Sequence, residues 1–250
     1  MTGTAVFACL FGAALIGMLL RSRLPDHHLN SESRDVIRLS TAVVGTLSAL
    51  ALGLLIASAK NVYDNTEAEL RTSVARVVLL DRIMARYGPE TADARAGLRH
   101  LIEIRLQEGW GIAVLGEGPA DPYDASQTIE PVQVELRALT PTNEPQKMLQ
   151  SRALEVSGQL AEAHWMMVET TGEGLPTAFL IILIFWLALL FATFGLQAPA
   201  NATVICVMLV CSLSVAAAVF LVVDMAHPYL GVIHVSDVPL RSALAHIGKL

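Results

Sequence analysis

Apolar and polar positions along this chain alternate in long blocks rather than in short amphipathic periods. Gly174 to Val223 is fifty residues without a charged side chain, broken near its middle by Gln197-Ala198-Pro199-Ala200-Asn201. About 20 apolar residues cross the hydrocarbon of a bilayer as a helix, so the block predicts two spans joined by a tight polar turn. Thr2 to Leu20 and Leu39 to Ala59 are uncharged as well, and each is long enough to cross.

Between the second and third spans the pattern changes to helical amphipathicity. Leu70, Val74, Val77, Val78, Met84 and Tyr87 recur on one face until Gly88-Pro89 stops them, which predicts a helix continuous with span two. A second helix is expected from Glu90 to Gly109, carrying Ala94, Leu98, Leu101, Ile102 and Leu106. Residues 116–126, rich in Gly, Pro and Asp, read as a loop. Pro131 and Pro145 stand where helices begin, the latter behind Thr142 and Asn143 as caps. Leu149, Ala153, Val156, Leu160 and Met167 then form a stripe leading to span three. The expected fold class is an all-α membrane protein: four transmembrane helices with a helical water-soluble domain between spans two and three. Its segments are 1–59, 60–174, 175–223 and a C-terminal tail, 224–250.

Composition sharpens this division. The chain is 54% hydrophobic and only 16% charged, as integral membrane proteins are. Residues 60–174 hold 11 of the 17 Lys and Arg and 18 of the 23 Asp and Glu, which makes the soluble segment acidic. No basic face is offered to nucleic acid. Cys9, Cys206 and Cys211 all fall inside predicted spans, where a disulfide framework is not expected. The first span lacks a positive segment before it, and Arg21 and Arg23 follow it, so it reads as a retained helix rather than a signal peptide. Arg21, Arg23, Arg34 and Arg38 place the first loop in the cytoplasm by the positive-inside rule. Lys60, Arg71 and Arg76 on the other side of span two weigh against that orientation.

Span two carries Thr41, Gly45, Ala49, Gly53 and Ala57 at strict four-residue spacing. Small side chains let another helix approach closely, and lipid supplies no hydrophobic drive, so packing must come from contact. Two readings are open: an oligomer interface or pore-lining face, and packing within one bundle. Ser40 and Ser48 beside the ridge, with Thr46 on another face, either line a watery path or bond back to the helix. No span carries a charge in its interior, which excludes carboxylate relays and ion-coupled transport more than a passive pore.

The second group of candidate residues lies at the membrane interface: Lys60, Tyr63, Asp64, Asn201, Asp224, His227, Pro228 and Tyr229. Asp224 ends span four, where a carboxylate opposes the macrodipole, so compensation by His227, Lys60 or a cation is one reading and simple exposure to water the other. Asn201-Ala202-Thr203 has the form of a glycosylation acceptor, but Asn201 fits better as the N-cap of span four. Asp26-His27-His28 lacks a second ligand pair, and no metal or cofactor is expected. Phosphate loops, nucleophile elbows and zinc spacings are missing from the sequence, so no enzymatic activity is expected.

Several runs resemble the bacterial bestrophin-like family: Arg23-Leu24-Pro25-Asp26-His27-His28-Leu29, Leu52-Gly53-Leu54-Leu55-Ile56-Ala57-Ser58-Ala59-Lys60, Leu79-Leu80-Asp81-Arg82 and Tyr87-Gly88-Pro89-Glu90-Thr91. Phe194-Gly195-Leu196, Asn201-Ala202-Thr203, His227-Pro228-Tyr229 and Val235-Ser236-Asp237-Val238-Pro239-Leu240-Arg241 extend the likeness over nearly the whole chain. That family resembles, distantly, the bestrophins, which are oligomeric anion channels with four spans per subunit and a pore lined by the second. Tyr63-Asp64 resembles a bestrophin feature, while Thr66-Glu67 stand where bestrophins carry paired tryptophans, and span two lacks their aromatic constriction. The resemblance implies a multi-pass protein of the cell inner membrane, with the bilayer, further copies of itself and permeant anions as partners. It places the soluble domain in the cytoplasm, opposite to the reading from the loop charges.

Overall fold

A computed structural model of the chain describes residues 2–25, 31–107, 128–170, 177–228 and 232–247. The histidine pair at 27–28 with Asp26, the loop at 116–126 and Tyr229 lie outside them. The described residues are helical, with no strand among them. Among the described residues four helices are long and apolar enough to cross a membrane: α1 (Thr2–Arg23), α2 (Ser31–Tyr87), α6 (Thr177–Gln197) and α7 (Ala202–Met225). The shorter elements are α3 (Ala92–Gln107), α4 (Glu130–Ala138), α5 (Glu144–Thr170) and α8 (Val238–His246). Two compact units result, Met1–Val62 with Gly174–His227, and Tyr63–Glu173 with Pro228–Leu250.

In the first unit α1 packs on α6 and α7. Its buried residues, Val6, Leu10, Ala14, Gly17 and Met18, fall at i, i+4, i+8, i+11 and i+12 and so form one stripe. Glycine decides how near α6 comes. A Cβ built on Gly17 would collide with the carbonyl of Ala192, and one on Gly195 with the carbonyl of Ala14. Hydrogen is therefore the only substituent that fits at either place, and the two backbones touch directly. Next to this crossing, the Arg21 guanidinium donates to the Gln197 carbonyl at 2.6 Å, meeting the negative end of α6 with a cation. Asn201 caps α7, its Oδ1 accepting from the Val204 N–H at 2.8 Å. Large apolar side chains such as Ile16, Phe179, Phe185 and Val210 face outward, as lipid-facing residues do. Cys9, Cys206 and Cys211 are exposed free thiols.

The second unit has a conventional core. Leu70, Val74, Val77, Leu80 and Met84 from α2 meet Leu98 and Ile102 of α3, Val132 and Leu136 of α4, and Val156 of α5. Each fully buried leucine contributes about 1.5–3 kcal/mol by removal from water. Val78, Leu101, Leu106, Leu149 and Leu160, placed on core faces by the sequence pattern, are only partly buried. The segment read as a separate C-terminal tail supplies Val235, Leu240, Ala243 and Ile247 to this same core, and Arg99 donates to the Ile247 carbonyl at 3.3 Å. Before α8, Asp237 accepts a hydrogen bond from Arg241 Nε at 2.8 Å, and that bond holds the Asp237 carboxyl below its ordinary 3.8.

Local signals account for the breaks. Gly88 has φ 137°, a left-handed value that other residues resist. The Thr91 hydroxyl serves the turn there, bonding to the carbonyls of Met84 and Gly88 at 2.7 and 2.9 Å. Pro89 makes residues 89–91 a short 3-10 turn, so α3 starts at Ala92 rather than at the expected Glu90. Asn143, of the two expected caps, accepts from the Gln146 N–H at 2.9 Å, while Thr142 donates its hydroxyl to the Gln146 side chain at 2.8 Å. Gln150 Nε2 donates to the carbonyls of Leu136 and Leu139, both at 2.9 Å, and closes the end of α4.

One charged pair is set into this core. Asp81 is 2% exposed and receives Arg95 as a fork, Nε to Oδ1 at 2.8 Å and Nη2 to Oδ2 at 3.3 Å. Bidentate geometry satisfies both carboxylate oxygens of a group that is costly to bury alone.

Candidate functional site

A ridge at four-residue spacing does not stay on one face. Each step of four turns the helix by 400°, so the face drifts by about 40° per step and about 160° from Thr41 to Ala57. The burial pattern of α2 follows that drift. Thr41 and Gly45 are half-buried, whereas Ala49, Gly53 and Ala57 are exposed. A Cβ on Gly45 would rest 3.8 Å from Leu190 Cδ2 of α6, and a Cβ on Gly53 would meet open space. The face of α2 buried within the chain is instead Ser48, Leu55 and Ala59.

The hydroxyls beside the ridge behave differently from one another. Ser48 is buried and donates to the Val44 carbonyl at 2.8 Å, so its proton is used within its own helix. Thr46 donates to the Ala42 carbonyl at 2.8 Å on an exposed face, and Ser40 is exposed. Thr41 Oγ1 is buried and has no hydrogen-bond partner among the described residues.

Asn201 and Asp224 sit at opposite ends of α7, about 35 Å apart along the axis. Asp224 is 9% exposed, and its carbonyl accepts from the His227 N–H at 3.1 Å. The His227 ring pairs through Nδ1 with the Val223 carbonyl at 2.8 Å, so it closes the helix end as a basic side chain can. Lys60 is exposed. In the second unit the Tyr63 hydroxyl reaches the His234 carbonyl at 3.5 Å, and the Pro228 carbonyl accepts from the Val235 N–H at 2.9 Å. Asp64 is exposed.

The bestrophin-like domain matches residues 8–240, which takes in all eight α2 ridge and hydroxyl residues and every interface residue named above. The chain belongs to the bestrophin-like family. No curated protein and no solved structure matches it. Within this bestrophin-like chain, three features escaped the sequence reading. Ala14/Gly17 and Ala192/Gly195 each carry two small residues three apart, a signal present but overshadowed by the longer ridge in span two. Arg95 lies fourteen residues from Asp81, too far for any local pattern to join them. Arg21 counted only as a topological charge, and its bond to Gln197 depends on the α1–α6 crossing.

Proposed function

We propose that this protein is a subunit of an oligomeric passive anion channel, with α2 at the oligomer axis. The supporting observation is the outward half of the ridge: Ala49, Gly53 and Ala57 are small and exposed, with open space over Gly53, while the opposite face of α2 is occupied within the chain. A second copy brought against these residues approaches as closely as backbone allows. Membership of the bestrophin-like family supports the same reading. On it the four apolar helices cross the inner membrane, and the helical domain between the second and third spans lies in water. Passive permeation needs no ionisable relay, since anions are handled by helix ends, hydroxyl dipoles and apolar constrictions. A halide-flux assay on proteoliposomes tests the reading: flux above empty vesicles is expected, and its absence for folded, assembled protein rejects conduction.

A second reading is a non-conducting sensor or scaffold whose helical domain takes a ligand. It is favoured by a cavity of about 90 Å³ in the second unit, walled by Val77, Ile102, Ile129, Leu160 and Leu240 among others. Binding of a small apolar molecule there, without flux, selects this reading.

A further inference from the structure

The first unit contains a groove of about 520 Å³ between α2, α6 and α7, within the volume range of small-molecule sites. Its lining is ordered from charge to hydrocarbon. Arg38, Thr41 and Gly45 line it in order along α2, Thr41 about 4.5 Å from Arg38 along the axis and Gly45 about 6 Å beyond that. Leu190 and Phe194 of α6 form the apolar wall, and Gln197 closes the polar end. Gly45 keeps the floor low, because its missing side chain leaves Leu190 as the nearest surface.

We propose that this groove holds one anionic phospholipid, its phosphate at Arg38 and Thr41 and an acyl chain along Gly45, Leu190 and Phe194. Three observations carry the assignment independently of conduction. Thr41 lines the groove, and its Oγ1 is buried and orphaned where it stands; an unpaired buried hydroxyl is costly, and a χ1 rotation toward a phosphate in the groove gives it a partner. Arg38 is exposed and takes part in no ion pair among the described residues, while Glu32 and Asp35 do not line the groove. The negative end of α6, which would repel a phosphate, is already met by Arg21 at Gln197. A cation and a hydroxyl donor above an apolar trough fit a phosphodiester with its tail and fit a zwitterionic lipid less well.

The test is native mass spectrometry of the full chain in mild detergent, offered equimolar phosphatidylglycerol and phosphatidylcholine. Wild type should retain phosphatidylglycerol preferentially. Arg38→Gln should lower that retention by roughly 5-fold, the effect of one basic residue on an anionic lipid, and leave phosphatidylcholine unchanged. Arg38→Lys should keep the preference, which separates charge from misfolding. Gly45→Leu should displace the lipid with helix content by circular dichroism unaltered. Equal retention of the two lipids by wild type, or an Arg38→Gln protein that binds as wild type does, overturns the proposal. So does efficient disulfide formation between chains by Phe194→Cys in a background without the native cysteines, because a second copy would then occupy the groove.

Discussion

Gly17 of α1 and Gly195 of α6 mark one helix crossing from its two sides: each would strike a carbonyl of the opposite helix if it carried a Cβ. Contact this close gathers dispersion and weak Cα–H···O interactions where lipid gives no hydrophobic drive. Gly17→Val or Gly195→Val should lower the melting temperature in detergent, corresponding to about 1–3 kcal/mol of overpacking. Gly12→Ala, whose Cβ would meet nothing within 4 Å, should leave it unchanged.

The outward ridge predicts a different phenotype. Since Gly53 faces open space and Ala49 is exposed, leucine at both positions should leave the chain folded. The mass of the assembled particle, read by light scattering in detergent, should fall. An unaltered particle would reject α2 as the meeting face of the copies.

Breaking the Asp81–Arg95 fork should be severe. Arg95→Gln leaves the buried Asp81 carboxylate uncompensated, at a cost of about 3–5 kcal/mol, and Asp81→Asn, which strands the more exposed Arg95, should cost less. Arg95→Lys keeps the charge but loses the two-pronged geometry and should recover only part. Hydrogen exchange in α3 measures the loss.

Helix capping gives smaller, graded effects. Asn201→Ala and Asn143→Ala each remove an acceptor for a first-turn N–H and should cost about 1 kcal/mol in thermal unfolding, with glycine costing only a few tenths.

For Asp237 the folded carboxyl is held below 3.8 by Arg241. Its contribution is therefore present above the ordinary carboxylate value and is lost as pH falls through the lowered one. A carbon-detected NMR titration should give a midpoint below 3.8, and Arg241→Gln should bring it back toward that value. The pair is largely exposed, so the accompanying change in stability is small.

The sequence made the helices legible because long uncharged blocks and the 3.6-residue period are local quantities. The continuous α2, its stop at Gly88, the span turn and the Asn201 cap all followed from neighbours within a few residues. Partners across the fold were not legible. Nothing near Asp81 announces Arg95, and the face taken by Gly45 rather than Gly53 depends on which way a drifting ridge meets α6. The tail at 238–246 carries an apolar stripe too short to stand apart from a linker, and its place in the core is set by α3. The same locality explains why Ser48, chosen for its hydroxyl, is buried against its own helix.

The position of α8 has a consequence for biosynthesis. Leu240, Ala243 and Ile247 complete a core begun at Leu70, yet the ribosome reaches them only after α6 and α7 have been made. The second unit thus waits, with apolar surface uncovered, until both later apolar helices have been synthesised, and it closes around a segment delivered from beyond them.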